Sequence, residues 1–134
     1  MELLFKNTYC EIMQESGSDY IIVKWIGFPK TEMFKEACSN LLILMKSKNI
    51  KKLLTDNTNV KLFSVTDQKW LNQEWLPKAS EIGYFCSATV SNRDVFVDTA
   101  VTNISHKRDA SKFIVKRFSN ISEAKNWLKN VQPA

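Results

Sequence analysis

Residues 19–26 read DYIIVKWI, and this stretch decides the fold because β-branched and aromatic residues dominate it. A turn signal, Ser16-Gly17-Ser18, stands just before it, and residues 8–14 form another strand candidate before that turn. The two runs predict a β-hairpin at the start of the chain.

Helical and strand patterns alternate after the hairpin. Residues 33–45 place apolar side chains at helical spacing, after a helix start at Thr31. Residues 52–56 (KLLTD) predict a short buried strand, and the polar residues 57–59 predict a loop that follows it. This alternation is typical of α–β units, in which successive strands pair in parallel.

A second helix is predicted from Ser64 to Gly83. Ser64 and Asp67 form a start similar to a capping box, and Gly83 suits the end of a helix. Pro77 cannot donate a backbone hydrogen bond, so we expect it to kink or divide this helix.

The remaining elements repeat the same pattern. Residues 84–90 predict a strand, residues 91–105 a helix, residues 113–118 a strand, and Asn120 with Glu123 caps a final helix. The order β-β-α-β-α-β-α-β-α predicts one α/β domain over residues 1–134, with a mostly parallel sheet that has an antiparallel edge.

Composition bounds the class of protein. The 134 residues are 44% hydrophobic and 25% charged, as in ordinary soluble globular domains. We find no secretory leader and no apolar run near the ~18 residues that a membrane span needs. The odd number of cysteines, at positions 10, 38 and 86, predicts free buried thiols in a reducing cytoplasm.

A search for catalytic residues finds no constellation. His106 is the only histidine, and neither Cys86 nor Ser87 stands in a recognisable nucleophile motif. The cysteines are too scattered for a metal set, and phosphate-binding glycine motifs are missing. We therefore predict a binding protein without enzymatic activity, metal or cofactor.

The net charge of +5 could favour binding to nucleic acid, which is polyanionic. Lys116 and Arg117 point to opposite faces of a predicted strand, and no recognition motif accompanies them or the other basic residues nearby. We therefore expect no nucleic-acid partner.

Two segments are candidate binding sites. Asp56, Asn57, Thr58 and Asn59 follow a central strand, at the sheet edge where α/β proteins gather ligands. They can bind a ligand or partner through hydrogen bonds, or form an ordinary Asx-type turn.

Trp70 and Trp75 mark the second segment. They lie about 140° apart on a regular helix. One of them is then expected at the rim of the sheet, beside a cavity or a membrane; alternatively both pack against different neighbours in the core.

Three stretches resemble the SpoIIAA-like branch of the STAS superfamily: residues 22–28 (IVKWIGF), residues 52–57 (KLLTDN), and Trp70 with residues 75–77 (WLP). The resemblance implies a four- to five-stranded mixed sheet with helices mainly on one face, and no enzyme activity. Anti-sigma factor antagonists of this superfamily carry a phosphorylatable serine in an Asp-Ser-Ser-Gly-like loop. Residues 55–59 lack that motif, and Thr58 is the nearest hydroxyl.

The resemblance leaves two functions open. One is a regulatory module that binds a protein partner through residues 56–59, with a filled core. The other is a carrier of a small apolar or lipid-like ligand that touches membranes peripherally, with a cavity between the sheet and the helices at 65–82 and 93–105. Trp70, Trp75 or the hairpin could also be the contacts of a homodimer.

Overall fold

A computed structural model describes residues 1–92 and 113–133. The strands are β1 (Glu2–Lys6), β2 (Cys10–Gln14), β3 (Tyr20–Gly27), β4 (Lys52–Val60), β5 (Cys86–Val90) and β6 (Ile114–Phe118). The helices are α1 (Thr31–Lys48), α2 (Val65–Trp70), α3 (Leu76–Glu81) and α4 (Ile121–Asn130), and a π-helical turn (Leu71–Trp75) joins α2 to α3.

The strands form one mixed sheet in chain order, β1 to β6. The first three are antiparallel, and β3 to β6 are parallel. The predicted hairpin and the following parallel strands are confirmed, but the described residues form six strands instead of four or five. The additional strand is β1, because the apolar start of the chain pairs with β2 after a tight turn in which the Tyr9 N–H donates to Asn7 Oδ1 (2.9 Å).

Side-chain alternation gives the sheet two buried faces. Ile21, Val23 and Trp25 of β3 pack on the face that α1, α2 and α3 cover. Tyr20 and Ile22 point the other way, onto the face that α4 covers. Most of the described helices thus lie on one face, as the resemblance implies.

The caps predicted at Ser64 and Asn120 are present, although the Asp67 carboxylate does not complete a capping box, since both of its oxygens are buried without a hydrogen-bond partner. Ser64 Oγ accepts the N–H of Asp67 (3.0 Å) at the start of α2, and Asn120 Oδ1 accepts the N–H of Ser122 (2.8 Å) at the start of α4. Gly83 follows α3 with a φ of +98°, a left-handed conformation that suits glycine.

Pro77 divides the second helix, as predicted. A proline in a regular helix has no N–H for the carbonyl four residues before it, and its ring collides with that carbonyl. The chain widens into the π-helical turn just before Pro77, where the Leu76 N–H donates to the Leu71 carbonyl. The wider turn accommodates the proline and separates α2 from α3.

The predicted loop at 57–59 is wrong, because β4 continues through these residues to Val60. Of the predicted helix at 91–105, residues 91 and 92 are described and are not helical, and residues 93–105 lie outside the described part of the chain, as do His106 and the basic residues Lys107, Arg108 and Lys112. Within that part, no helix combines the length and apolar character needed to cross a membrane.

Candidate functional site

A β-bulge replaces the predicted loop. Lys24 pairs with Asp56 and Ile26 pairs with Asn59, so two residues of β4 stand opposite the single residue between them on β3. The Asp56 carboxylate accepts the N–H of Thr58 (3.0 Å) and its hydroxyl (2.7 Å). The carboxylate thus satisfies an amide of the bulged segment, which explains how four polar residues remain in a strand.

Because of the bulge, the four predicted site residues differ in how far their side chains are exposed. Asn57 is buried, with 3% of its surface exposed, whereas Asn59 is exposed. Asp56 and Thr58 are half-buried and bond to each other, and the Thr58 carbonyl accepts the side-chain amide of Asn92 (2.9 Å). These residues therefore do not form the single surface that the sequence suggests.

Asn57 faces a cavity of about 80 Å³ between the sheet and the helices. Its polar lining comes from the middle of β4 and from β5: Thr55, Asn57, Ser87 and Thr89. They share one face because each pair is two residues apart on its strand, and Thr55 stands beside Thr89 in the parallel register. The Thr55 and Ser87 hydroxyl oxygens lie 3.4 Å apart.

Aromatic side chains form much of the rest of the cavity wall. They are Trp25, Phe34, Phe63, Trp75 and Tyr84. Trp25 stacks on Phe34 with ring centroids 4.9 Å apart, and Trp75 meets Tyr84 edge to face at 5.7 Å. The cavity is therefore lined by aromatic rings, several of them at steep angles to one another, and by a row of small polar groups on β4 and β5.

The carbonyl oxygen of Asn57, Oδ1, is buried and has no hydrogen-bond partner. An unpaired buried acceptor lowers the free energy of unfolding by roughly 1–3 kcal/mol, so Asn57 is expected to destabilise the fold. Sequence reasoning selected Asn57 but placed it in a loop. It did not identify Thr55, Ser87 or Thr89 as site residues. The only sequence pattern that could have revealed them is the occurrence of small polar residues within predicted buried strands.

The two predicted tryptophans have different environments. Trp75 is buried, lines the cavity and donates its indole N–H to the Cys38 carbonyl (2.7 Å). Trp70 is half-buried, and Lys35 Nζ lies 5.4 Å from its ring centroid. Trp70 is thus the more exposed of the two tryptophans, but it also packs against the core, with its ring centroid 6.1 Å from that of Phe34.

Trp70 and Trp75 also contact a shallow groove of about 490 Å³ between α1 and the π-helical turn. Leu42 and Ile43 supply its apolar side, and Glu74 and Lys78 bring one charge of each sign. Ile43 is 65% exposed. The groove is thus a second surface that includes predicted site residues.

Three exposed apolar side chains lie beyond the carboxyl ends of β3 and β4. Phe28 is 64% exposed, and Leu62 and Val65 are exposed as well; we call these three residues the edge patch. The Lys61 N–H donates to the Gly27 carbonyl (2.7 Å), which holds the two strand ends together. Sequence reasoning missed this patch, because only the parallel pairing of β3 and β4 brings the three residues to one edge.

The cysteines are free and buried, as predicted. Burial raises the pKa of Cys10 and of Cys86 to about 12, and it raises the pKa of Cys38 well above its ordinary value. These thiols are therefore protonated at neutral pH, which leaves them poor nucleophiles. The described residues contain no group of three or more histidine, cysteine or acidic side chains suited to a metal ion.

No family model matches the sequence, and no curated relative matches it either. Solved structures do match. An uncharacterized DUF3478-family protein with a SpoIIAA-like fold from Shewanella loihica PV-4 is 18% identical, with a TM-score of 0.61, and the match covers 93% of this chain and 98% of that one.

Two anti-sigma factor antagonists match as well. SpoIIAA in its unphosphorylated form is 4% identical with a TM-score of 0.62, and the match covers 91% of this chain and 99% of that one. An anti-sigma factor antagonist from Mycobacterium paratuberculosis is 10% identical with a TM-score of 0.57, and the coverage is 90% and 93%. At these identities the likeness concerns the fold, and it confirms the SpoIIAA-like architecture that the sequence predicts.

Proposed function

We propose that this chain is a non-enzymatic regulatory module of STAS type that binds a protein partner. The observation that carries the proposal is the SpoIIAA-like fold, which matches two anti-sigma factor antagonists over at least 90% of the chain. By their name, those proteins act on another protein. The protonated, buried thiols are consistent with a role in binding instead of nucleophilic catalysis.

The edge patch is the partner surface that we favour. Exposed apolar side chains grouped at one place mark interaction sites more often than single ones do. Phe28 offers an aromatic ring of the kind that dominates protein interfaces, and the exposed Asn59, which pairs with Ile26 near the end of β3, adds a polar side chain at the same edge of the sheet. In this proposal Asp56 and Thr58 act indirectly, because their hydrogen bonds fix the bulge that presents Asn59.

Affinity capture with matched variants tests the proposal. Phe28→Ser removes the aromatic ring of the edge patch. The control, Ile43→Ser, removes a side chain from the groove that is exposed to the same extent, 65% for Ile43 and 64% for Phe28. We expect a specific protein to be captured by the wild-type chain and by Ile43→Ser, and to be lost with Phe28→Ser. Loss with Ile43→Ser alone would place the partner in the groove beside Trp70, and capture of no specific protein would contradict the proposal.

The lipid-carrier alternative gains no support from the cavity. Pockets for drug-sized ligands measure roughly 300–1,000 Å³, far above the 80 Å³ found between the sheet and the helices. Several other expectations remain predictions. They are a lipid-like ligand, peripheral membrane contact, a homodimer, a cytoplasmic location, a single domain over residues 1–134 and the absence of nucleic-acid binding.

A further inference from the structure

We propose that the protein partner of the edge patch presents an acidic surface, in which carboxylate groups surround the apolar side chains that contact the patch. This inference rests on the proposed function, because it names the chemistry of the partner bound at that same site. The observation that carries it is the distribution of charge. Every edge-patch residue has an exposed lysine near it in the chain, and exposed acidic side chains are scarce there.

The first of these lysines, Lys61, lies where the ends of β3 and β4 meet. It precedes Leu62 in the chain, and its N–H donates to the carbonyl of Gly27 (2.7 Å), the residue just before Phe28. The backbone of Lys61 is therefore fixed at the edge patch, while its side chain is exposed. An ammonium group at this place is available to a carboxylate of a partner that covers the patch.

Two further lysines accompany the other edge-patch residues. Lys30 comes two residues after Phe28, at the start of α1. Lys69 lies on α2, four residues after Val65, and side chains four residues apart are neighbours on a helix surface. Both lysines are exposed, and no described residue forms an ion pair with them or with Lys61.

Acidic side chains do not offset these lysines. Within four residues of the edge patch along the chain, the acidic residues are Glu32 and Asp67. Asp67 is fully buried, so Glu32 is the one exposed acid in these segments, against three exposed lysines. The net charge of the chain, +5, has the same sign. Complementary charge selects partners and accelerates their association, which favours an acidic partner over a basic one.

The apolar side chains and the lysines contribute differently to binding. Buried aromatic anchors supply much of the affinity of an interface, whereas each exposed ion pair at its rim strengthens binding at most about fivefold. Charge therefore determines which protein binds more than how tightly it binds. We accordingly expect changes at the lysines to weaken binding and the loss of the Phe28 ring to abolish it.

Charge reversal at matched positions tests the proposal. One double variant, Lys30→Glu with Lys61→Glu, reverses two lysines where α1 begins and β4 ends. The control, Lys48→Glu with Lys51→Glu, reverses two exposed lysines where α1 ends and β4 begins. We expect the first variant to bind the protein captured by the wild-type chain roughly tenfold more weakly, and the control to bind it within about twofold of the wild type.

Salt supplies an independent readout on the wild-type chain. Raising the ionic strength from about 0.1 M to about 1 M shortens the Debye length from about 10 Å to about 3 Å, so wild-type binding should weaken several-fold and approach that of the first double variant. Equal binding of that variant and the wild type, or wild-type binding that salt does not weaken, would overturn the acidic partner and leave the proposed function intact.

The crosslinked segment of the partner tests the chemistry directly. A photoreactive phenylalanine analogue at position 28 should crosslink to a segment in which Asp and Glu outnumber Lys and Arg, and a segment without that excess would overturn the proposal. This measurement keeps all the lysines, so it holds even if a double variant fails to fold. Failure to capture any specific protein, or capture that survives Phe28→Ser, would contradict the proposed function itself.

An anionic membrane is the other occupant that lysines around an apolar patch could attract. Sedimentation with vesicles of phosphatidylcholine and phosphatidylserine distinguishes it from a protein. We expect the wild-type chain to remain in the supernatant. Sedimentation of the wild-type chain that both Phe28→Ser and the first double variant abolish would assign the patch to a membrane surface and overturn the proposal.

Discussion

Replacement of Asn57 by leucine should make the unliganded protein more stable. Asn57 keeps an unpaired carbonyl oxygen in a buried position, and such a group costs roughly 1–3 kcal/mol. Leucine has the same number and branching of side-chain heavy atoms and no polar atom to satisfy, and the cavity that Asn57 lines can take up the extra bulk of its methyl groups. Allowing for imperfect packing, we expect the free energy of unfolding to rise by roughly 1–2 kcal/mol.

The gain is large enough to measure. For a chain of 134 residues, an increase of this size corresponds to a rise in Tm of roughly 4–7 °C. Urea unfolding followed by tryptophan fluorescence should show a higher midpoint with an unchanged slope, which indicates a change in stability alone. The control Asn59→Leu should stay within about 0.5 kcal/mol of the wild type, because Asn59 is exposed.

The opposite result would refute the reasoning. If Asn57→Leu lowers the free energy of unfolding by about 1 kcal/mol or more, the carbonyl oxygen must have a partner in solution, such as tightly bound water.

Three further predictions follow from the same structure. Asp56→Ala should lower the free energy of unfolding by roughly 1–2 kcal/mol in urea titrations, because the Thr58 N–H and hydroxyl lose their acceptor, whereas Asp56→Asn should lower it less. The three thiols should resist a thiol reagent in the native protein at neutral pH and all react in denaturant, because burial raises their pKa; rapid labelling of the folded chain would contradict this. The hydrogen bond from Lys125 (2.6 Å) lowers the pKa of Glu15, so this pair stabilises the fold above the ordinary carboxyl pKa and the contribution disappears as the pH falls through the lowered pKa. Lys125→Met should remove that acid-dependent part of the stability curve, less than about 1 kcal/mol for a partly exposed pair, and an unchanged curve would show that the pair contributes nothing.

Sequence reasoning succeeded where local physical chemistry decides the structure. The hairpin, the capping of α2 by Ser64 and the division of the second helix at Pro77 depend on residues close together in the chain. The alternation of helices and strands then restricts the topology, because parallel strands need crossover connections of one hand.

The bulge could not be predicted, because residues 56–59 have the composition of a turn. Only tertiary pairing with β3 keeps them extended, and only the Asp56 side chain makes the irregular backbone acceptable there. The polar lining and the edge patch depend in the same way on register. Thr55 meets Thr89, and the ends of β3 and β4, which Phe28 and Leu62 follow, come together, through strand pairing that no local pattern encodes.

Site-specific photo-crosslinking in the source cells tests the central claim most directly. A photoreactive phenylalanine analogue at position 28 should form a crosslink of one discrete mass to another protein, while the same group at position 43, equally exposed, should not. A crosslink from position 43 alone, or none from either position, would contradict the account of this chain as a module that binds its partner through the edge patch.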